Sequence, residues 1–318
     1  MGLAQISAAR TVNGNYLNML RCTNIGLVST SAADKYVTDS GASGTAYACG
    51  EKTGFYTLGV DVDGNPITNI FEIIEPSGYA TGLITTDRIT GATPGAFYAH
   101  QTDRFQLELI ALDILNKGID FFAGGGKENF NMRTDSLNLI DSLYSEGYQV
   151  VSSLNEIQGD KKVAALLYDG EPPKVSEGRA DMLSDALSLA LNRLSENETG
   201  FFIMAEGAQI DWACHDNNQE YLLSETADFD KAVGVALDFA EQDGNTLVVI
   251  LADHETGGFA LVDGDVENNT VVGEFVSNQH TGTMVPVFAY GPGAENFSGT
   301  YENKEVFYKF LDYFGIQK

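Results

Sequence analysis

Three of the four histidines in this chain stand in short segments that suggest metal ligands. Asp211 and His215 are four residues apart, a spacing that puts both on one face of a helix. Asp253 directly precedes His254, and His280 lies in the segment QHTG. Because zinc prefers carboxylate and imidazole ligands, all of these residues are candidate metal ligands. A helix-capping Asp beside an ordinary His would explain any one of these sites, but it explains all three together far less well.

A turn that contains serine, Asp39-Ser40-Gly41, supplies a candidate nucleophile. Small residues follow Ser40, and a run compatible with a helix follows them. We therefore predict that Ser40 lies at a helix N-terminus, where backbone N–H groups and the helix dipole favour an anion such as phosphate. An N-capping Ser in a Gly-rich turn is the alternative interpretation of this segment taken alone. Two-metal hydrolases need carboxylates and imidazoles that converge on such a nucleophile.

The apolar pattern indicates the scaffold that must position these residues. Short runs rich in Val, Ile, Leu and Phe alternate with amphipathic stretches, which favours βα units around a mainly parallel sheet with helices on both faces. The predicted strands are 81–85, 120–123, 163–168, 201–205, 246–251 and 285–289, and the predicted helices are 105–115, 136–146, 179–194, 224–242 and 304–314. Ligands gather at the carboxyl ends of such strands, which places Thr93, Glu206 and Asp253 on one rim. No linker or repeat divides the sequence, so we predict a single α/β domain over 1–318.

Composition excludes several classes of protein. The chain has 45 acidic and 18 basic residues, and its net charge of −27 argues against nucleic acid as a partner. No apolar stretch reaches the roughly 18 to 20 residues that a membrane span needs. The N-terminal segment MGLAQISAAR lacks the basic and apolar regions of a signal peptide, so these residues alone predict a cytoplasmic protein.

Five segments carry a resemblance to a known family. YVTDSGASGTAYACGEKT, GATPGAFYAHQTDR, MAEGAQIDWACH, LADHETGGF and QHTG occur here in the order in which alkaline phosphatases have them. The chain resembles that family over essentially its whole length, and its compact bacterial, cold-adapted type in particular. The resemblance implies a doubly wound α/β fold and hydrolysis of phosphate monoesters through a phosphoserine intermediate. It also implies a homodimer and export to the periplasm or the medium.

The resemblance further implies a role for each residue of the site. Ser40 corresponds to the nucleophile, and Asp39 to the carboxylate that orients the substrate-binding arginine, which is matched by Arg104. A guanidinium can bind two phosphate oxygens at once. Trp212 lies beside the first zinc, where ordinary packing and contact with phosphate are both open interpretations. The implied metal ligands are Asp211, His215 and His280 for a first zinc, Asp253 and His254 for a second zinc, and Thr93 and Glu206 for a magnesium.

Two departures from the family pattern lead to further expectations. Gly91 stands where relatives carry Asp or His at the third metal site, so we expect water to take the place of that side chain. The family also has a first strand that ends in an Asp-Gly-x-Gly turn, whose Asp bridges the second zinc and the magnesium. The sequence starts at Met1-Gly2-Leu3, which resembles the end of that turn. We therefore expect an N-terminally incomplete domain without that strand and Asp, with less stability and activity than a longer form.

Alternatives to a phosphomonoesterase remain at this stage. The segment DSGAS is not the G-x-S-x-G elbow, which disfavours a serine esterase of the α/β-hydrolase type. A phosphodiesterase or a sulfatase would share the same metal chemistry. A catalytically impaired relative that binds phosphate or metal is a further candidate, because the bridging Asp is missing. His100, the fourth histidine, follows an apolar run and is expected to be structural.

Overall fold

The computed structural model describes residues 1–115 and 117–316. In these two ranges the helices are α1 (Leu3–Val12), α2 (Ser40–Cys49), α3 (Ile70–Ile74), α4 (Ala92–Ala96), α5 (Leu107–Asp113), α6 (Glu128–Asn131), α7 (Leu139–Ser145), α8 (Met182–Leu194), α9 (Gln209–His215), α10 (Gln219–Asp243) and α11 (Glu305–Phe314). None of these helices is long and apolar enough to cross a membrane. Every helix predicted from the sequence overlaps one of them.

The strands of the described residues are β1 (Asn24–Ser29), β2 (Ala80–Arg88), β3 (Phe121–Gly125), β4 (Gln149–Val151), β5 (Val163–Leu166), β6 (Phe201–Glu206), β7 (Val248–Ile250), β8 (Glu255–Thr256), β9 (Ala260–Asp265), β10 (Thr270–Glu274), β11 (His280–Thr281), β12 (Val285–Tyr290) and β13 (Gly299–Glu302). Every predicted strand is among them. The first sheet contains β4, β5, β3, β2 and β6 in that order, and all of its strands are parallel. Its register pairs Thr85 with Glu206, so the carboxyl ends of β2 and β6 lie side by side, as predicted.

Helices cover both faces of this parallel sheet. Leu83 and Phe122 belong to one buried apolar cluster, whereas their neighbours Ile84 and Phe121 belong to another. Because successive side chains of a strand point to opposite faces, the two clusters lie on opposite sides of the sheet. Helices α5 and α7 contribute to the first cluster, and α8 contributes to the second through residues such as Leu187. A mainly parallel sheet between two helical layers confirms the predicted doubly wound α/β class.

A second sheet contains β13, β1, β12 and β7 in that order. Strand β12 runs antiparallel to both β1 and β7, whereas β13 is parallel to β1. Two of the predicted strands, 246–251 and 285–289, therefore belong to this second sheet, which the apolar pattern does not distinguish from the first. Strands β6 and β7 are end strands of their two sheets, and both line a cavity of about 750 Å³. The same cavity extends to several candidate site residues, among them Ser40, Arg104 and Glu206.

Candidate active site

Ser40 is the first residue of α2, which confirms its predicted place at a helix N-terminus. Asp39 caps this helix, because its carboxylate accepts hydrogen bonds from the backbone N–H groups of Gly41 and Ala42. The helix ends at Gly50, whose left-handed backbone (φ 76°) favours glycine. Ser40 lines the cavity at the end of the helix where the dipole is positive. The local sequence thus places a hydroxyl where an anionic substrate is stabilised.

Arg104 contacts the same helix start through its ion pair with Asp39. Its Nη1 donates to Asp39 Oδ2 over 2.8 Å, while Asp39 Oδ1 accepts from the backbone N–H of Tyr56 over 3.1 Å. One buried carboxylate therefore caps the helix that begins at Ser40 and also orients the guanidinium. Arg104 lines the same cavity as Ser40, and its planar fork carries five N–H donors. The pair predicted from the sequence is brought together by the fold.

Asp211, His215 and His280 form a compact group, the histidine cluster. Their ligand atoms all lie within 4.8 Å of one another. Asp211 and His215 come from α9, whereas His280 comes from β11. The two imidazole Nε2 atoms are 3.1 Å apart, and Asp211 Oδ2 lies 3.2 Å from His215 Nε2. A helical i,i+4 pair and a residue 65 positions further along the chain thus converge on one point.

The second nitrogen of each imidazole in the histidine cluster is anchored to the backbone. Nδ1 of His215 donates to the carbonyl of Asn278, and Nδ1 of His280 donates to the carbonyl of Thr38, both over 2.8 Å. A neutral imidazole that donates from Nδ1 carries its lone pair on Nε2. When both imidazoles are neutral, as metal binding requires, two lone pairs and a carboxylate oxygen face one another at short distance. A cation removes that repulsion, and two imidazoles with a carboxylate are a ligand set that fits zinc.

Asp253 and His254 follow β7 and lie directly beside the histidine cluster. The ring of His254 stacks on the ring of His280, with centroids 3.5 Å apart. Nε2 of His254 is 3.1 Å from Asp253 Oδ2 and also 3.1 Å from Ser40 Oγ. Nε2 of His254 therefore lies close both to the hydroxyl of the candidate nucleophile and to a carboxylate oxygen. A cation would also fit among these three atoms. The structure brings together the two ligand groups and the serine that the sequence predicted.

Charges within the histidine cluster stabilise one another. Burial disfavours ionised Asp211, but the hydrogen bond from His215 and the nearby imidazoles outweigh it and hold the pKa of Asp211 well below its usual range. The same hydrogen bond with Asp211 raises the pKa of His215 to about 9. Burial and the adjacent His254 lower the pKa of His280. Anionic and cationic side chains thus coexist in this cluster.

Asp87 and Glu206, the carboxylate pair, line the same cavity. Burial, followed by the charge of Asp87, raises the pKa of Glu206 to about 8, although the hydroxyls of Thr85 and Thr93 act in the opposite direction. Burial, with a contribution from the charge of Glu171, raises the pKa of Asp87 to about 6. Among the described residues, neither carboxylate forms an ion pair with a cationic side chain. Glu206 and Thr93, both predicted from the sequence, offer oxygen ligands of the kind that magnesium prefers.

The surroundings of Gly91 correct one expectation. A Cβ atom at this position would lie only 2.2 Å from Asp87 Oδ2. The carboxylate of Asp87, and not water alone, therefore occupies the space of the side chain that residue 91 lacks. Sequence reasoning missed Asp87 because no motif marked it. Its position two residues beyond the predicted strand 81–85 was the one signal that could have found it.

Two buried hydroxyl groups were also missed. Thr256 donates to Asp211, so its oxygen accepts from Nδ1–H of His254. Thr85 donates to Glu206 Oε2 over 2.5 Å, and its oxygen accepts from the backbone N–H of Asp87 over 3.0 Å. The Thr256 hydroxyl thus links Asp211 to His254, and the Thr85 hydroxyl links the two residues of the carboxylate pair. Threonines in ordinary strand segments carry no sequence signal for such a role.

The remaining two candidates differ in their surroundings. Trp212 is partly buried on α9, packs against the apolar core and also lines the cavity, so packing and phosphate contact both stay open for it. His100 is hydrogen-bonded through both ring nitrogens, with Nδ1 2.7 Å from the carbonyl of Gly59 and Nε2 3.0 Å from Glu72 Oε1. These contacts support the structural role that was predicted for His100.

Comparisons with known proteins point to one family. The family model described as alkaline phosphatase matches residues 1–274. Alkaline phosphatase 4 of Bacillus subtilis (strain 168) is 32% identical over an alignment that covers 96% of this chain and 84% of that protein. The solved alkaline phosphatase of the Antarctic bacterium TAB5 is 40% identical, with a TM-score of 0.96 and coverage of 100% of this chain and 96% of that chain. A TAB5 variant with glutamate in place of a histidine, at the same identity and coverage and a TM-score of 0.95, has Mg bound in the M3 site.

Proposed function

Since this chain belongs to the alkaline phosphatase family and hydrolyses phosphate monoesters, we propose that Ser40 is its nucleophile and that hydrolysis passes through a phosphoserine. The observation that carries this proposal is the position of Ser40 Oγ. It lies at the N-terminus of a ten-residue helix, in the cavity that Arg104 also lines and 3.1 Å from His254 Nε2. An oxyanion placed against Ser40 would therefore meet the helix dipole and a guanidinium.

The proposed reaction has two displacement steps at phosphorus. In the first, Ser40 Oγ releases its proton to solvent and forms a bond to phosphorus, while the bond between phosphorus and the alcohol oxygen breaks and the alcohol leaves with a proton from solvent. In the second, water loses a proton and forms the new bond to phosphorus, while the bond to Ser40 Oγ breaks and Ser40 takes up a proton, which restores the serine hydroxyl. Arg104, held by Asp39, binds nonbridging oxygens throughout, where charge builds up.

Metal ions serve as cofactors in this family, and the donor sets of this chain are consistent with three of them. We assign one zinc to the histidine cluster, a second zinc to Asp253 and His254, and a magnesium to Thr93 and Glu206. When bound, such cations lower the pKa of a serine hydroxyl and stabilise negative charge on the oxygens around phosphorus. The magnesium assignment gains support from the Mg that occupies the M3 site of the TAB5 variant.

The setting of the enzyme belongs to the same proposal. The resemblance to alkaline phosphatases implies export and a homodimer. We therefore assign this chain to the periplasm or the medium, as a homodimer. The net charge of −27 suits an exposed, well-solvated surface. Sedimentation equilibrium should give twice the mass of 34.3 kDa. A mass that stays at one chain across the concentration range would contradict the dimer.

The nucleophile is tested by replacing Ser40. Ser40→Ala should lower kcat for an aryl phosphate at least about 1000-fold, because the covalent route is removed while the metal ligands remain. Rapid acid quench with phosphorus-labelled substrate should trap label on Ser40 in the unaltered enzyme. Ser43→Ala is the matched control, since the Ser43 hydroxyl on the same helix already donates to the carbonyl of Asp253 and should leave labelling at Ser40 intact. Label on any other residue would overturn the assignment.

The alternatives are separated by substrate. A diester, a sulfate ester and a monoester that share one aryl leaving group can be compared at equal concentration. We expect kcat/KM for the monoester to exceed the other two values by at least about 100-fold. The reason is that Arg104 and the two assigned zinc ions together suit a doubly charged phosphoryl group. A preference for the diester or the sulfate ester would contradict the assigned physiological chemistry.

A further inference from the structure

Gly91 has a backbone that does not require glycine. It is the N-cap of α4 with φ −60° and ψ 165°, an extended conformation that any residue adopts. What excludes a side chain is space. A Cβ on Gly91 would lie 2.2 Å from Oδ2 and 2.9 Å from Cγ of Asp87, and 2.9 Å from the carbonyl oxygen of Arg88. The residue at 91 is small because the carboxylate of residue 87 already fills the position.

One oxygen of the Asp87 carboxylate is held by a backbone N–H group, and the other oxygen is left for a ligand. Oδ1 accepts from the backbone N–H of Arg88 over 2.6 Å. In the residues that the structure describes, no donor lies within hydrogen-bonding distance of Oδ2. Asp87 contributes to the lining of the cavity together with Ser40, Thr93 and Glu206. Asp87 therefore lines the site, and its Oδ2 accepts no hydrogen bond from the described residues.

A single hydroxyl ties Asp87 to the predicted magnesium ligand. The backbone N–H of Asp87 donates to Thr85 Oγ1, and that hydroxyl in turn donates to Glu206 Oε2. The register of β2 and β6 places Thr85 opposite Glu206, so this link is part of the sheet itself. The Thr93 hydroxyl also acts to lower the pKa of Glu206. Two carboxylates and one hydroxyl are thus held together by rigid elements, and the charges of Asp87 and Glu206 repel each other.

We propose that Asp87 supplies the carboxylate of the third cation site, in place of the side chain that Gly91 lacks. The inference rests on the proposed function, which assigns Thr93 and Glu206 to that cation. With Asp87 included, every donor is an oxygen atom. Magnesium prefers such a set, whereas an imidazole at this position would favour zinc. The pair Asp87 and Gly91 therefore specifies magnesium at the third site.

The test measures magnesium binding on zinc-loaded enzyme, separately from activity. Calorimetric titration with Mg²⁺, and EPR with Mn²⁺ as its probe, should show about 100-fold weaker binding for Asp87→Asn. Zinc content by mass spectrometry should remain unchanged. Glu171→Gln is the matched control, because it removes one negative charge near Asp87 without removing an oxygen that lines the cavity. Its magnesium affinity should stay within about threefold of the unaltered enzyme.

A second variant moves the carboxylate back to residue 91. In Asp87→Ala/Gly91→Asp, the 2.2 Å contact is gone, and the backbone carbonyl of Arg88, 2.9 Å from the new Cβ, must still move. This double variant should bind Mg²⁺ within about tenfold of the unaltered enzyme, whereas Asp87→Ala alone should bind as weakly as Asp87→Asn. Restored binding would show that the carboxylate acts as a ligand and does not merely support the fold.

The outcomes separate this inference from the function on which it rests. Unaltered enzyme that binds Mg²⁺, with Asp87→Asn binding it equally well, would overturn the role of Asp87 and leave the phosphoserine route untouched. Loss of zinc and magnesium together in Asp87→Asn, or failure of the double variant to regain Mg²⁺, would show a structural role and would also overturn it. Label trapped on a residue other than Ser40, with normal Mg²⁺ affinities, would overturn the proposed nucleophile alone.

Discussion

Two groups of buried acidic side chains line the same cavity, and they differ in what surrounds them. In the histidine cluster, Asp211 lies against imidazoles, and its pKa is held low by their hydrogen bond and charge despite burial. In the carboxylate pair, Asp87 and Glu206 face each other, and burial with mutual repulsion raises the pKa of Glu206 to about 8. Without metal, the imidazolium of His215 neutralises Asp211 in the histidine cluster, whereas protons must neutralise the carboxylate pair.

This difference bears on how each region depends on cations. The histidine cluster brings nitrogen and oxygen atoms together, and backbone carbonyls orient its two imidazoles. A cation there replaces protons on imidazoles. The carboxylate pair offers oxygens alone, so a hard cation there replaces protons on carboxylic acids. The two regions should therefore respond differently to metal removal, to pH and to the loss of a supporting hydroxyl.

The largest effect should follow from removing a ligand of the histidine cluster. His280→Ala should weaken zinc binding at this cluster by more than about 100-fold and lower phosphatase turnover with it, because one of three converging ligands is lost. Magnesium binding at the carboxylate pair should change little. Metal content measured site by site with anomalous scattering would show this. His100→Gln is the control, because both ring nitrogens of His100 are hydrogen-bonded elsewhere. This variant should keep zinc at the histidine cluster. Equal loss of zinc and magnesium in His280→Ala would show that the two regions do not bind their metals independently.

A medium effect is expected in the pH dependence of metal-free stability. The pKa of Glu206 is about 8 in the folded state, against about 4.5 ordinarily, so the folded state holds a proton that the unfolded chain has released. The resulting stabilisation is complete below about pH 4.5 and is lost as the pH rises to about 8. The free energy of unfolding should fall by roughly 2 to 4 kcal/mol from this group, and Glu206→Gln should remove that fall.

The histidine cluster acts in a different pH window. The pKa of His215 is raised to about 9 by Asp211, so its stabilisation is present below about pH 6.5 and is lost towards pH 9. Between pH 5 and pH 6.5, His215 therefore adds no slope to urea unfolding in a chelator, and within the cluster only His280, whose pKa is lowered, opposes the fall due to the carboxylate pair. His215→Gln should leave the slope in that interval unchanged, whereas Glu206→Gln should flatten it. Equal slopes for the unaltered protein and Glu206→Gln would contradict the comparison.

The smallest effect should come from the two linking hydroxyls. Thr256→Val removes the link between Asp211 and His254, and Thr85→Val removes the link between Glu206 and Asp87. Each variant keeps the shape of the side chain and should weaken binding about tenfold, Thr256→Val for zinc and Thr85→Val for magnesium. Calorimetric titration of each variant with each metal gives four values. If Thr256→Val weakened magnesium binding, or Thr85→Val weakened zinc binding, by as much as the expected metal, the two hydroxyls would not act on the two sites separately.

Much of the fold and part of the site could be predicted from sequence. Apolar runs of strand length alternate with amphipathic stretches, which is sufficient for the α/β class because burial follows local periodicity. Ser40 at a helix start was predictable too, since Asp39 and the small residues after it act within one turn. Asp211 and His215 share a face through helix geometry alone. Each of these features depends on residues close together in the chain.

Other features were decided by tertiary structure alone. Strand 285–290 belongs to a second sheet because it pairs with β1, and strand 248–250 belongs there because it pairs with 285–290; no apolar pattern encodes either long-range pairing. Thr85 meets Glu206 across 121 residues because β2 and β6 pair in parallel register. By itself, the sequence determined which residues could do chemistry and which elements carry them. Only the packed structure decided which carboxylates share a cavity, because repulsion and desolvation depend on distances that burial sets.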